Sequence, residues 1–140
     1  RAECPVTITP HPGEMARLLG CDTSVIQADR LGALRRAAEL TRATVALKGA
    51  GTLVTRFGEP VHVNMTGNPG MATGGAGDVL SGLMAGLLAQ GLAPLDAARA
   101  AVYLHGHAGD DAARLKSQHG ITAGDVIDNM SYAFQALTPR

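Results

Sequence analysis

A glycine-rich stretch that ends in a single acid is the part of this sequence best suited to chemistry. Five glycines lie between Gly67 and Gly77, Asp78 follows at once, and an apolar run from Val79 to Leu88 has helical character. Glycine lets a ligand approach the backbone closely, and the first turn of a helix offers unpaired N–H groups and a partial positive charge that suit phosphate. A carboxylate repels an anion, so Asp78 makes better sense as a base that takes a proton from a hydroxyl group about to meet a phosphoryl group. The stretch therefore predicts phosphoryl chemistry.

The two common nucleotide-binding fingerprints are absent from this sequence. No G-x-x-x-x-G-K-[S/T] segment occurs, and Leu80 stands where the dinucleotide motif would place its third glycine after Gly75-Ala76-Gly77. The plain structural alternative is a flexible loop or a tight contact between a helix and a sheet. The strict order of glycines, acid and apolar helix argues against that alternative.

Length and charge narrow the function classes. The chain has 140 residues, which corresponds to one domain or part of one. Lys plus Arg and Asp plus Glu number 12 each, and this balance gives no support to nucleic-acid or membrane binding. Cys4 and Cys21 form no metal or redox motif, and no apolar run is long enough to cross a membrane. We expect a cytoplasmic protein that binds neither nucleic acid nor membrane and that forms a homo-oligomer.

The pattern of apolar residues and turn residues predicts an α/β layout. The expected elements are a strand at 6–9, helices at 12–19 and 24–42, a strand at 44–48, a hairpin of 52–56 with 61–64, and helices at 77–90, 94–115 and 125–137. So few strands cannot cover the apolar faces of all these helices. We therefore expect further strands from a segment that precedes Arg1, since the chain also lacks an initiator Met.

Four segments of the chain together resemble a known family. They are, in order, Thr9–Met15, Leu47–Thr52, Asn68–Gly82 and His105–Asp110. The series resembles the C-terminal domain of the ADP-dependent NAD(P)H-hydrate dehydratases, over the whole chain but over only about the second half of that domain. The resemblance implies a ribokinase-like, three-layer α/β/α fold, present here as a single incomplete domain over residues 1–140. Ala76 departs from the family, because many relatives carry Thr there.

The resemblance also implies a reaction. Members of the family repair NADH and NADPH that have been damaged by addition of water, using ADP or, in some relatives, ATP. The implied route is phosphorylation of the hydrate hydroxyl followed by elimination of phosphate, which makes the enzyme a lyase with a kinase-like site. The implied small molecules are NADHX or NADPHX, ADP or ATP, and Mg²⁺.

Roles for individual residues follow from the same resemblance. Asp78 is expected to act as the catalytic base and to contact the substrate, together with His11 and Asn68, although Asn68 could instead shape its loop. The expected nucleotide-binding residues are Lys48, Gly49, Ala50, Gly51, Thr52, Gly74, Gly75, Ala76 and Gly77. Glu14 has two readings of equal weight, namely a water-mediated contact with Mg²⁺ or an acid that the helix dipole favours.

Other polar residues have plainer readings. Residues 48–52 could form a hairpin turn with an incidental surface Lys. His105 and His107 are two residues apart on a helix and point to different faces, so we expect packing rather than a shared metal. Asp110 and Asp111 are expected to lie on a solvated helix surface.

Two other functions remain open at this point. The chain could belong to a ribokinase-like kinase of a vitamin precursor, although His11 stands where those kinases tend to have Asn. It could also be a non-catalytic nucleotide-binding fragment, although a pure binder gains nothing from Asp78 beside a phosphate. The three functions differ in their outcome. The dehydratase yields repaired NADH, the kinase yields a phosphorylated alcohol, and the fragment binds nucleotide without a reaction.

Overall fold

The computed structural model describes residues 4–137, which divide into two compact units. The first unit contains the chain up to Asn64 together with Leu92–Arg99. The second contains Met65–Gly91 and the chain from Ala100 onward. The expectation of one domain over residues 1–140 stays a prediction.

A four-stranded sheet in chain order forms the centre of the first unit. Strands β1 (Thr7–Ile8) and β2 (Thr44–Leu47) are parallel, and β3 (Leu53–Arg56) and β4 (His62–Val63) continue the sheet in antiparallel pairs. The hairpin expected between residues 52 and 64 is therefore confirmed. A second hairpin joins β2 to β3, because Leu47 pairs with Leu53.

Three complete helices lie among the described residues of the first unit, where the sequence predicted two. They are α1 (Pro12–Leu19), α2 (Thr23–Ala28) and α3 (Arg30–Thr41). The single helix predicted over 24–42 is wrong, because Asp29 interrupts it with φ −142° and ψ 73°. The carboxylate of Asp29 accepts the N–H of Gly32 at 2.8 Å and so caps α3. A short acidic side chain competes with the helical backbone in this way, and the break makes Arg30 the first residue of α3.

The core of the first unit is aliphatic. All four residues of β2 are buried, which is typical of a strand covered on both faces. The largest fully buried apolar side chains of this core are Met15, Ile26, Leu34, Val45 and Leu47. Burial of this apolar surface fixes the positions of α1 and α3, and with them the loops that carry the candidate site of this unit.

Helices and one short turn make up the second unit. Its elements are a 3-10 turn (Pro69–Met71), α4 (Ala76–Ala89), α5 (Pro94–Lys116, in this unit from Ala100), α6 (Ala123–Asp128) and α7 (Met130–Leu137). The predicted helices at 77–90 and 94–115 are confirmed to within one residue. The helix predicted at 125–137 is instead two helices that divide at Asn129, whose side-chain N–H donates to the Asp125 carbonyl at 2.8 Å. None of the helices in residues 4–137 combines the length and the apolar character that crossing a bilayer requires.

Two glycines of α5 allow the segment before α4 to lie directly on the helix. A Cβ on Gly106 would stand 2.2 Å from Oγ1 of Thr66, and a Cβ on Gly109 would stand 2.2 Å from Sδ of Met71. The same contact is reinforced by Oγ1 of Thr66, which donates to the Tyr103 carbonyl at 2.9 Å. The glycines in the His105–Asp110 motif are therefore explained by close packing.

Replacement of Gly106 by Ala tests this packing. The new methyl would also stand 2.7 Å from the Thr66 carbonyl carbon, so backbone must shift. We expect Gly106→Ala to lower the free energy of unfolding by about 1–3 kcal/mol, as overpacking does. Gly82→Ala in α4 is the control, because a Cβ there meets nothing within 4 Å, and it should gain up to about 1 kcal/mol from helix propensity. Urea denaturation measures both, and equal effects of the two variants would contradict the packing argument.

An ionic contact closes the turn between α5 and α6. Asp125 receives Nζ of Lys116 on Oδ1 at 2.5 Å, and on Oδ2 it receives the N–H and the hydroxyl of Thr122, each at 2.9 Å. The hydrogen bond from Lys116, followed by those from Thr122, lowers the pKa of Asp125 to about 2. The same hydrogen bond raises the pKa of Lys116.

The lowered pKa of Asp125 predicts a defined pH dependence. A group whose pKa is lower in the folded state stabilises the fold above its unfolded pKa, about 3.9 for Asp, and loses that contribution as the pH falls towards about 2. We therefore expect Asp125→Asn to lower the melting temperature at pH 6 and to differ much less from the parent chain at pH 2. Asp128→Asn, an exposed acid of the same helix, is the control. A difference for Asp125→Asn that is equally large at pH 2 would contradict the ionic contact.

Candidate functional site

The start of α4 has the geometry of an anion site. Gly75 precedes the helix with φ +86°, a left-handed conformation that favours glycine. Among residues 4–137 no side chain caps this helix, and the N–H of Ala76 makes only a long bond of 3.4 Å to the Thr73 carbonyl. Uncapped amides at a helix start can bind a phosphate group. The predicted nucleotide residues Gly74 to Gly77 therefore lie where their N–H groups could serve that purpose.

Asp78 lies in the first turn of α4, beside those amides. Its N–H donates to the Gly75 carbonyl at 3.0 Å, and the residue is exposed. An exposed carboxylate beside an anion site can accept a proton from a bound hydroxyl group. Ala76, the departure from the family pattern, is buried at 5% exposure and so packs inward.

Asn68 is held by contacts within its own unit. Its Nδ2 donates to the Gly109 carbonyl and to Oδ1 of Asp110, both at 2.9 Å, and its Oδ1 accepts the N–H of Gly70 at 3.1 Å. These bonds use both side-chain N–H groups, which supports the loop-shaping reading. A substrate contact by Asn68 stays a prediction.

Asp110 is the acid that holds this loop, and its expected place on a solvated surface is wrong. The residue is half-buried and accepts the N–H of Gly67 on Oδ2 at 2.9 Å, in addition to Asn68 on Oδ1. The same correction applies to Asp111, whose side chain is 16% exposed and pairs with Nδ1 of His107 at 3.1 Å. Within residues 4–137 no three His, Cys, Asp or Glu side chains are grouped as metal ligands would be, and His107 is used by Asp111 instead.

In the first unit, the structure brings His11, Glu14 and Lys48 together. His11 precedes α1, and its Nδ1 accepts the N–H groups of Gly13 at 3.1 Å and Glu14 at 3.3 Å. A neutral ring that accepts on Nδ1 carries its proton on Nε2, which lies 3.4 Å from Oε1 of Glu14. Oε2 of Glu14 accepts the N–H of His11 at 2.7 Å and lies 3.8 Å from Nζ of Lys48.

Glu14 therefore completes a capping box, the structural one of its two readings. The hydrogen bond from the His11 backbone, with Lys48 nearby, lowers the pKa of Glu14 and keeps it ionised. The side chain is 44% exposed, so the carboxylate can also face water. Mg²⁺ usually retains several waters and needs only one or two protein carboxylates beside the phosphates. A water-mediated contact between Glu14 and Mg²⁺ thus fits the geometry and stays a prediction.

The segment from Lys48 to Thr52 forms the turn between β2 and β3, yet its Lys is not incidental. The N–H of Lys48 donates to the Pro10 carbonyl at 2.9 Å, and its ammonium faces Glu14. The hydroxyl of Thr52 donates to the Gly49 carbonyl at 3.1 Å.

Sequence reasoning missed Arg30, which donates to the carbonyls of Leu47 at 3.3 Å, of Lys48 at 3.4 Å, and of Ala50. No short motif marks Arg30, because its partners lie 17 to 20 residues further along the chain.

Comparison with known proteins decides the family. A family model described as NAD(P)H-hydrate dehydratase matches residues 1–131. This chain belongs to the NAD(P)H-hydrate dehydratase family. It is 50% identical over 133 residues to a bifunctional NAD(P)H-hydrate repair enzyme of Moorella thermoacetica, and covers 25% of that protein with 95% of its own length. It is 48% identical to an ADP-dependent (S)-NAD(P)H-hydrate dehydratase of Neisseria meningitidis, with 95% of the chain and 44% of that protein covered.

Solved structures agree with the fold expected for the family. The ADP/ATP-dependent NAD(P)H-hydrate dehydratase of Bacillus subtilis, co-crystallised with ATP and Mg²⁺, superposes with a TM-score of 0.92 at 31% identity, over 99% of this chain and 50% of that one. A ribokinase-like superfamily protein of Enterococcus faecalis gives a TM-score of 0.78 at 32% identity, over 96% and 45%. The ribokinase-like α/β fold is therefore confirmed. The chain spans a quarter to a half of the length of these relatives.

Removal of the Asp110 carboxylate tests the account of the loop. We expect Asp110→Ala to lower the free energy of unfolding by about 1–3 kcal/mol, because the N–H of Gly67 and a side-chain N–H of half-buried Asn68 lose a charged acceptor. Asp96→Ala on the same helix is the control, since Asp96 is exposed and has only a 3.5 Å contact with Arg99, and surface changes of that kind cost at most about 0.5 kcal/mol. Urea denaturation of both variants checks this, and an effect of Asp110→Ala no larger than that of Asp96→Ala would refute it.

Proposed function

We propose that this chain carries the phosphoryl-transfer half of an ADP- or ATP-dependent dehydratase that restores NADH and NADPH from their hydrates. The observation that carries the proposal is the position of Asp78 in the first turn of α4. This helix follows Gly75, which has a left-handed conformation, and no described side chain caps its first amides. Membership of the family agrees with it, and so do the named activities of the Neisseria and Bacillus relatives.

In the proposed reaction, the hydroxyl oxygen of the hydrate attacks the terminal phosphoryl group of the nucleotide. Asp78 accepts the hydroxyl proton, an O–P bond forms, and the bond from that phosphorus to the rest of the nucleotide breaks. The C–O bond then breaks and its electron pair leaves with the phosphate. The neighbouring carbon loses a proton to water, and the electron pair of that C–H bond forms the ring double bond. The amides of Gly74 to Gly77 stabilise the charge that develops on the transferred group.

Residues of the first unit fit supporting roles in this reaction. Nε2 of His11 carries the proton of the neutral ring, so it can donate to a polar group of the substrate. Lys48 and the turn up to Thr52 provide a cation and backbone amides for the nucleotide. Glu14 would hold hydrated Mg²⁺, which supplies charge neutralisation between the phosphates when bound.

We also propose that a complete site requires a further segment of the same domain, covalently attached or as a second chain. The argument is that the chain covers half of the Bacillus structure and that its described residues form only four strands. Repair of hydrated NADH by the 140 residues alone, as a folded monomer, would contradict this proposal. The expected homo-oligomer stays a prediction that light scattering can test.

The replacement Asp78→Asn tests the role of the base. With the further segment supplied, and with hydrated NADH, ADP and Mg²⁺ present, we expect the absorbance of reduced nicotinamide to return, and the variant to be slower by about 10²–10⁴-fold, as for loss of a general base. Its affinity for ADP should be unchanged or tighter, because a negative charge beside the phosphates is removed. Asp96→Asn is the matched control, since Asp96 also lies in the first turn of a helix and is exposed.

Each contrary outcome favours a different function. An unchanged rate in Asp78→Asn would eliminate Asp78 as the base. Nucleotide-dependent phosphorylation of a vitamin-precursor alcohol without NADH repair would favour the kinase. Binding of ADP with no reaction, even after the further segment is supplied, would favour a non-catalytic fragment.

A further inference from the structure

Arg30 is the side chain that organises the turn between β2 and β3. As the first residue of α3, it points its guanidinium at three carbonyls of the turn, those of Leu47, Lys48 and Ala50. The remaining carbonyl in this stretch, that of Gly49, accepts the hydroxyl of Thr52. The four successive carbonyls from residue 47 to residue 50 therefore all have a donor inside the protein.

This arrangement fixes the direction of the amides. In a planar trans peptide, the C=O of one residue and the N–H of the next point in opposite directions. The N–H groups of Gly49 and Gly51 therefore point away from Arg30, which holds the preceding carbonyls, and the N–H of Ala50 points away from the hydroxyl of Thr52. Successive N–H groups that face one side form a concavity that binds anions such as phosphate.

Gly49 shows how closely the guanidinium approaches the turn. Its φ is +142°, and a Cβ built on it would stand 2.9 Å from Nη2 and 3.3 Å from Cζ of Arg30. Nε of Arg30 is buried without a partner among the described residues. The guanidinium is thus oriented by the hydrogen bonds from Nη1 and Nη2 to the turn carbonyls. Among the described residues, no hydrogen bond from Nε contributes.

We propose that Arg30 is a positioning residue for nucleotide binding. It does not itself have to touch the ligand, because its fork of donors holds the turn in the conformation that presents the amides of Gly49 and Gly51, together with Lys48, to the phosphates of a nucleoside diphosphate. This inference rests on the proposed function, since the turn is the predicted nucleotide segment. Lys cannot replace Arg here, because an ammonium lacks the planar fork that reaches several acceptors at once.

Two variants of the 140-residue chain test the proposal, one by changing Arg30 and the other by changing the turn residue next to it. Arg30→Lys removes the fork and keeps the charge. Gly49→Ala keeps Arg30, but its new Cβ meets the guanidinium and also strains the turn at φ +142°. Arg35→Lys, an exposed position of the same helix, is the control. We expect both test variants to raise the dissociation constant for ADP with Mg²⁺ by about tenfold, the equivalent of about 1.4 kcal/mol, as measured by calorimetry. Where repair is measured, KM for ADP should rise with kcat unchanged, since ground-state and transition-state binding are lost equally.

Amide hydrogen exchange without nucleotide provides a second readout that does not depend on the reaction. Exchange in residues 48–52 should be faster in both test variants and unchanged in Arg35→Lys, while the other peptides keep the exchange of the parent chain. If Arg30→Lys does not fold, the ADP affinity and the amide exchange of Gly49→Ala test the proposal.

Different experimental results would overturn this inference and the proposed function. A parent chain that binds ADP as tightly as both test variants would overturn the inference alone, and faster exchange at 48–52 with unchanged ADP affinity would show Arg30 to be only a structural staple. A parent chain that binds no ADP even after the further segment is supplied would overturn the proposed function and the inference together.

Discussion

Loops without regular secondary structure must satisfy their backbone polar groups one at a time, and both candidate binding segments of this chain depend on that constraint. In the first unit, the cation of Arg30 takes carbonyls of the turn, which leaves amides for a ligand. In the second unit, the carboxylate of Asp110 takes the N–H of Gly67 and the side chain of Asn68. Each loop is thus held by a charged group of fixed geometry on a neighbouring helix, α3 or α5. Charge-assisted hydrogen bonds are stronger than neutral ones, so a few of them can replace a strand ladder.

The start of α4 differs from these two loops. No described side chain caps it, and the same is true of the short helix α2, whereas α1 and α6 both begin with a complete capping box. Helix starts without a cap are costly when they lack another partner, so the difference is consistent with a ligand that supplies the missing acceptor. Asp78 follows in the same turn. The chemistry proposed for this chain therefore lies at a helix start that no described side chain caps.

Sequence reasoning predicted the long helices better than the contacts that hold the loops. The apolar runs of α4 and α5 are long and periodic, and the predicted helices there are confirmed. The breaks at Asp29 and Asn129 were missed, because each depends on a side chain that bonds to nearby backbone while the apolar pattern continues. Asp110 was misjudged for another reason, since its partners lie 42 and 43 residues away and no local pattern reveals them. The family motif did include Asp110, so the motif itself was the available signal.

The central claim is that the chain presents two sets of backbone amides to one kind of ligand, the phosphates of an adenine nucleotide. Titration of the ¹⁵N-labelled chain with ADP and Mg²⁺, followed by two-dimensional NMR, tests that claim residue by residue. The account predicts that the amide resonances of residues 49–51 and of residues 74–77 are those that shift most. Shifts confined to other parts of the chain, or no shift at either segment at saturating ADP, would contradict it.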